Sequence, residues 1–298
     1  MGTSNAYGGS DGNKPLVPSW LPDDGVPATP SATPQAPPPP NGVPPLGTPP
    51  PVPTPPTLLP IPSRGDASRF TAARNNFSRF ATSGGHDRAS LGRALSHYVS
   101  TSLGAGGNRT AARRMGASRR AGGQLVNFLS GAVANGPREA LRSLRLEHLA
   151  GRPVEEVFIG LIDYVCPEGG TIDDGIAREA FVETIADLAE NGITNFDALT
   201  IDQLQTIFEL YATHAIEARL CNDIGAKAIT LPANVGDAAN VQTQLLDFIR
   251  RSVADALTSA RAGIEALTPS LVMGFVTRVY EQAFAILQSM GEAEADAE

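Results

Sequence analysis

Lysine is nearly missing from this chain: of 298 residues, only Lys14 and Lys227 carry an ε-amine. Cysteine is as scarce, with Cys166 and Cys221 alone and no CxxC or histidine pair beside them. That pattern excludes a structural zinc site and a secreted disulfide scaffold. No apolar run approaches the roughly 18 residues that a transmembrane helix needs. The N-terminus has no basic stretch leading into an apolar core, so no signal peptide is expected. A cytoplasmic protein without membrane contact is the consistent expectation. GxxxxGK[ST], HExxH, GxSxG and a glycine fingerprint behind a strand are also missing. Their absence removes the usual phosphate, zinc and acyl-transfer machinery, and no cofactor, metal or catalytic residue is expected.

Proline, by contrast, is crowded into one place. The run from Pro15 to Pro62 holds 20 of the 25 prolines. Each fixes φ, removes a backbone donor and turns the preceding residue away from helix. Such a stretch favours extended polyproline II and has too little apolar surface to offset its ordering entropy. Fully extended at about 3.1 Å per residue, it reaches on the order of 150 Å. Three regions follow: an N-terminal peptide 1–14, a disordered proline-rich tether 15–63, and a helical domain 64–298. Inside the tether, Leu16, Val17, Trp20 and Leu21 form an apolar island around the chain's one tryptophan. That island is either a partner anchor or packs on the protein's own helices.

Charge divides the helical region. Residues 64–152 carry 15 Arg against four acids, a net of +11, while residues 153–298 carry a net of −17. The asymmetry predicts either a nucleic-acid surface or two parts packed with complementary charge. Arg109, Arg113, Arg114, Arg119 and Arg120 are the nucleic-acid candidates, since arginine meets phosphates well. The nearby aromatics lie on apolar stripes, where core packing claims them, and this favours the packing alternative.

Apolar residues recur at helical spacing from Asp66 onward, as in Phe70, Ala73, Phe77 and Phe80. Further helices are predicted over HDRASLGRALSHYVSTSL, NRTAARRMGASRRAGGQLVNFLSGAV, REALRSLRLEHL and VEEVFIGLIDYV. Thr171 with Asp174, and Thr200 with Gln203, have capping-box spacing ahead of two more. The last two span about 237–262 and 269–290. No stretch alternates with period two for long. The fold class is all-α, with about eight or nine helices behind the tail. His214, Glu217 and Cys221 share a helix, but seven residues separate His214 from Cys221 by about 10 Å, too far for a nucleophilic pair. Glu155–Glu156 and Asp173–Asp174 read as helix-start carboxylates, not general acids.

With lysine so rare, the most nucleophilic amine at neutral pH is the α-amine of the mature chain. Its reference pKa is about 7.7–8.0, against about 10.4 for lysine. Gly2, small enough to permit removal of Met1, would carry it. Ala6 stands where a myristoylation site wants Ser or Thr, so no lipid anchor is expected.

The strings MGTSNAYGGS, LVPSWL, RFTAARNNFSRFA and SGGHDRASLGRALSHYV resemble QatB, a component of Qat anti-phage defence systems. IDYVCPEGGTIDDGIAREAFVETIADLAE and ELYATHAIEARLCNDIGAKAI carry the resemblance through the second half. The resemblance implies a non-enzymatic defence component working with a QueC-like (QatC-like) enzyme, an ATPase and a TatD-like nuclease. QueC-type enzymes activate 7-carboxy-7-deazaguanine as an acyl-adenylate open to attack by an amine. Gly2 would then be the modified residue, and Thr3, Ser4 and Asn5 the residues read in the partner's pocket. Trp20 and Leu21 would add partner contacts. The rival expectation is a nucleic-acid-binding module built on the five arginines.

Overall fold

Local chemistry sets where the helices start and stop. Thr171 accepts from the Asp174 amide while Asp174 reaches back to the Thr171 amide, a complete capping box. Thr200 and Gln203 repeat the arrangement. Reciprocal caps satisfy donors that a first helical turn leaves orphaned. Gly136 at φ 90 lies between two helices, and Pro137 occupies the first turn of the second, where its missing N–H is harmless.

The computed structural model describes residues 69–101, 107–225, 232, 234–260 and 267–297. Its helices are α1 (Thr71–Thr82), α2 (Arg88–Ser100), α3 (Gly107–Arg114), α4 (Gly116–Asn135), α5 (Pro137–Ser143) and α6 (Val154–Val165). They continue as α7 (Ile172–Glu190), α8 (Ile201–Ile224), α9 (Val235–Ser259) and α10 (Pro269–Asp296). Two 3₁₀ turns, Glu147–Leu149 and Phe196–Ala198, complete the list, and no strand occurs among the described residues. The all-α expectation holds. The helix count differs for a local reason: the stretch read as one helix breaks at Met115 (φ −81, ψ 30) into α3 and α4. REALRSLRLEHL also stops early, because Arg145 adopts a left-handed φ of 60 and a 3₁₀ turn follows.

Helix α8 is the axis of the packing. The seven successive residues Leu210, Tyr211, Ala212, Thr213, His214, Ala215 and Ile216 are all buried, so the middle of the helix lies in the core around its whole circumference. That explains why its sequence is weakly amphipathic: a helix surrounded by others needs no polar face. Aromatic pairs lock its neighbours. Phe158 of α6 stacks on Phe181 of α7 with centroids 5.9 Å apart, and Phe128 of α4 stacks on Phe196 at 5.5 Å. Phe208 meets Phe275 of α10 at 5.8 Å. Helices α2 and α10 cross on glycines, Gly92 against Gly291.

A glycine without such a role makes a useful contrast. Gly131 lies inside α4, and a Cβ built there meets nothing within 4 Å. Helix-interior glycine is less favourable than alanine by about 0.5–1 kcal/mol. Gly131→Ala is therefore expected to raise stability by about that amount in urea unfolding, with the slope unchanged.

Candidate functional site

The most heavily charged interior region gathers around Asp223, in the last turn of α8. Its carboxylate is only 6% exposed. It accepts from the Tyr98 hydroxyl at 2.8 Å, from Arg114 at 2.9 Å and from Arg219 Nε at 3.2 Å. Arg219, four residues earlier on the same helix, also pairs with Asp173 at the start of α7. The Arg114 guanidinium sits 4.9 Å from the centroid of the Phe70 ring. Burial first, and the adjacent Asp223 carboxylate next, push the Tyr98 hydroxyl far above the ordinary tyrosine range, so it stays a proton donor. A single acidic side chain thus fastens α2, α3 and α8.

The five candidate arginines fall on α3 and α4. Arg114 is held by Asp223, as above. Arg120 lies 3.3 Å from Asp174, and Arg109 lies 4.0 Å from Glu281. Arg119 donates to the Thr277 hydroxyl at 3.4 Å, while its Nε is buried without a partner. Arg113 is exposed and meets no carboxylate among the described residues. Three of the five therefore lie within ion-pair distance of acids of the second, acidic part, Arg109 only at its outer limit. Arg88–Glu294 at 2.7 Å adds another such link.

His214 is 7% exposed, and its Nε2 lies 2.8 Å from Asp187 of α7. Nδ1 is 3.7 Å from Glu217, beyond hydrogen-bond length, so Glu217 acts there mainly through its charge. Burial opposes the imidazolium, but the two carboxylates outweigh it and raise the histidine above its ordinary 6.5. Because the folded value is the higher one, the added stability is complete below the unfolded value. It is lost as pH rises through the folded value. Stability of the wild-type chain is expected to fall as pH rises above the ordinary histidine value, by a component that His214→Gln lacks; urea midpoints measured from about pH 6 upward test it. Burial pushes Cys166 and Cys221 each up to about 12, and Glu217 adds to the rise at Cys221. Neither thiol is a nucleophile at neutral pH. His214 is a structural ion-pair residue here.

Along α4 runs a groove. Its widest part is a cavity of about 460 Å³ lined by Asn127, Phe128, Gly131, Asn135, Tyr164 and Pro269, among others. A neighbouring concavity shares Asn127 and Pro269 and continues to Gln124, Arg120 and Met273. The smaller one beyond it shares Arg120 and Gln124 and reaches Cys166 and Asp174. The polar stripe Arg120, Gln124, Asn127, Gly131, Asn135 recurs at spacings of four, three, four and four, a signal visible in the sequence but not singled out there. Among the described residues, no group of three or more His, Cys, Asp or Glu side chains is placed to hold a metal ion.

Gly2, Thr3, Ser4, Asn5, Trp20 and Leu21 lie outside the described residues, as does the proline run itself. No described helix is long and apolar enough to cross a membrane. Comparison with known proteins found no matching curated protein and no matching solved structure. A family model described as Qat anti-phage system associated protein QatB does match, over residues 106–287. That span runs from the start of α3 to well inside α10 and covers more than half of the chain, so the chain belongs to the QatB family of Qat anti-phage system proteins.

Proposed function

We propose that this defence-system component is a non-enzymatic substrate and scaffold: its N-terminal glycine is conjugated to a 7-deazaguanine by a QueC-like partner. The α-amine of Gly2 attacks the activated acyl carbon, the N–C bond forms, AMP leaves and the ammonium proton passes to solvent. Thr3, Ser4 and Asn5 are read in the partner's pocket, residues 15–63 serve as the tether, and Trp20 and Leu21 add contacts. The helical domain docks partners, the system's ATPase and TatD-like nuclease among them.

One observation carries this reading. The buried histidine and both thiols of the described domain are committed to structure: His214 is fixed by Asp187, and Cys166 and Cys221 are held protonated, while His86, His97 and His148 are exposed imidazoles whose acyl derivatives hydrolyse readily. With only two lysines in the chain, the α-amine is the remaining good nucleophile. Intact-protein mass after co-expression with the QueC-like enzyme tests it. The rival is nucleic-acid binding through the arginines. It requires a salt-dependent DNA or RNA shift abolished by replacing Arg113, Arg114, Arg119 and Arg120 together. Because Arg114 and Arg120 already hold carboxylates, no such shift is expected.

A further inference from the structure

Helices α6 and α7 form an antiparallel hairpin whose register is fixed at three points. Phe158 stacks on Phe181, Asp163 pairs with Arg178 at 3.0 Å, and the Cys166 thiol meets the Ala177 carbonyl at 3.4 Å. One residue beyond the buried Phe158–Phe181 pair, each helix turns by about 100°. In an antiparallel pair those two rotations carry the side chains to the same outer side. Ile159 and Val182 occupy these positions, 58% and 47% exposed. They therefore stand side by side on the outside of the hairpin, with exposed Ala186 one turn beyond Val182.

A single exposed aliphatic residue needs no explanation, but an adjacent β-branched pair on two helices forms a patch. Its surroundings state its chemistry. Residues 153–190 carry ten acids against one arginine, and five of the ten, Glu156, Asp163, Asp173, Asp174 and Asp187, pair with Arg152, Arg178, Arg219, Arg120 and His214 respectively. Glu155, one turn before Ile159, and Glu183, beside Val182, are exposed and paired with no described residue. The sole arginine, Arg178, is taken by Asp163. An apolar strip flanked by the unpaired carboxylates of Glu155 and Glu183 complements a helix that presents aliphatic residues at i, i+3 and i+4 between basic side chains.

We propose that the outer face of the α6–α7 hairpin, centred on Ile159 and Val182, docks a basic amphipathic helix of a partner protein. The surface is separate from the N-terminal chemistry and stands whether or not Gly2 is modified.

The probe is an 18-residue model helix of leucine and lysine, leucines at i, i+3, i+4 and i+7, titrated against the full chain by fluorescence anisotropy. Saturable one-to-one binding that weakens with salt is expected. Ile159→Ser with Val182→Ser should reduce affinity at least about tenfold, the worth of two partly buried aliphatic groups. Val235→Ser, removing an 84% exposed aliphatic on α9, should leave it unchanged. Both substitutions lie at exposed positions, and thermal unfolding should confirm an intact fold. Equal binding by the double variant would overturn the proposal, as would equal binding by a scrambled peptide of the same charge. Several peptides bound per chain would also overturn it, since that is the mark of unspecific charge attraction.

Discussion

Replacing Asp223 by alanine is expected to lower stability by about 3–5 kcal/mol, the largest loss from any single charged side chain in the described domain. The carboxylate accepts from Tyr98, Arg114 and Arg219, and it is 6% exposed. Its removal strands a buried phenol and two guanidinium groups, and an uncompensated buried donor or charge is far costlier than a lost surface ion pair. Arg219 keeps Asp173, which bounds the damage. Asp223→Asn retains an acceptor at nearly the same shape and should lose less than the alanine variant. Urea midpoints at constant slope measure both. A loss below about 1 kcal/mol for Asp223→Ala would mean that the network is solvated enough to be unimportant.

Gly92→Ala is the second large effect, and its sign opposes intuition about helices. A Cβ at Gly92 would stand 2.5 Å from the Gly291 carbonyl oxygen and 3.0 Å from the Ala295 amide nitrogen. One at Gly291 would stand 2.6 Å from the Gly92 carbonyl oxygen. Both obstacles are backbone atoms, so no side chain can turn aside and the helices must separate. Alanine adds about 1 kcal/mol of helix propensity, but overpacking of this kind costs about 1–3 kcal/mol, and more when backbone must move. Either glycine-to-alanine change should therefore destabilise by roughly 1–2 kcal/mol net, whereas the same change at Gly131 stabilises. Opposite signs for one chemical substitution would confirm that α2 and α10 meet backbone to backbone. Equal signs would refute the close crossing.

The helices were legible wherever a local rule decides them. The Thr171–Asp174 and Thr200–Gln203 caps, the Pro137 start and the Phe70–Phe80 stripe all form as their spacing indicates. What local rules could not supply is long-range. Nothing near His214 in the sequence points to Asp187, 27 residues away, yet that pair fixes the ring. Asp223 looks like any helix-end carboxylate until α2 and α3 fold onto it. The break at Met115 was hidden because apolar spacing continues through it, and Arg145 gives no sequence hint of its positive φ.

The candidate sites divide along the same line. The charge split between residues 64–152 and 153–298 was visible from composition, and the two alternatives it left open differ in what the arginines face. Arg109, Arg114 and Arg120 face carboxylates of the acidic part. The groove on α4 depends on how α6 and α10 flank one polar stripe, which composition cannot convey. The N-terminal reading rests on different ground: lysine scarcity, the acidity of an α-amine and the family. Its residues lie outside those described, so chemistry must decide it.

The deciding measurement is the intact mass of the chain after co-expression with the QueC-like enzyme of its system, with the N-terminal peptide then sequenced by fragmentation. The account predicts loss of Met1 and one added 7-deazaguanine acyl group on the Gly2 nitrogen, abolished in a Gly2 variant that retains Met1. An unchanged mass, or a modification that survives in that variant, would contradict it.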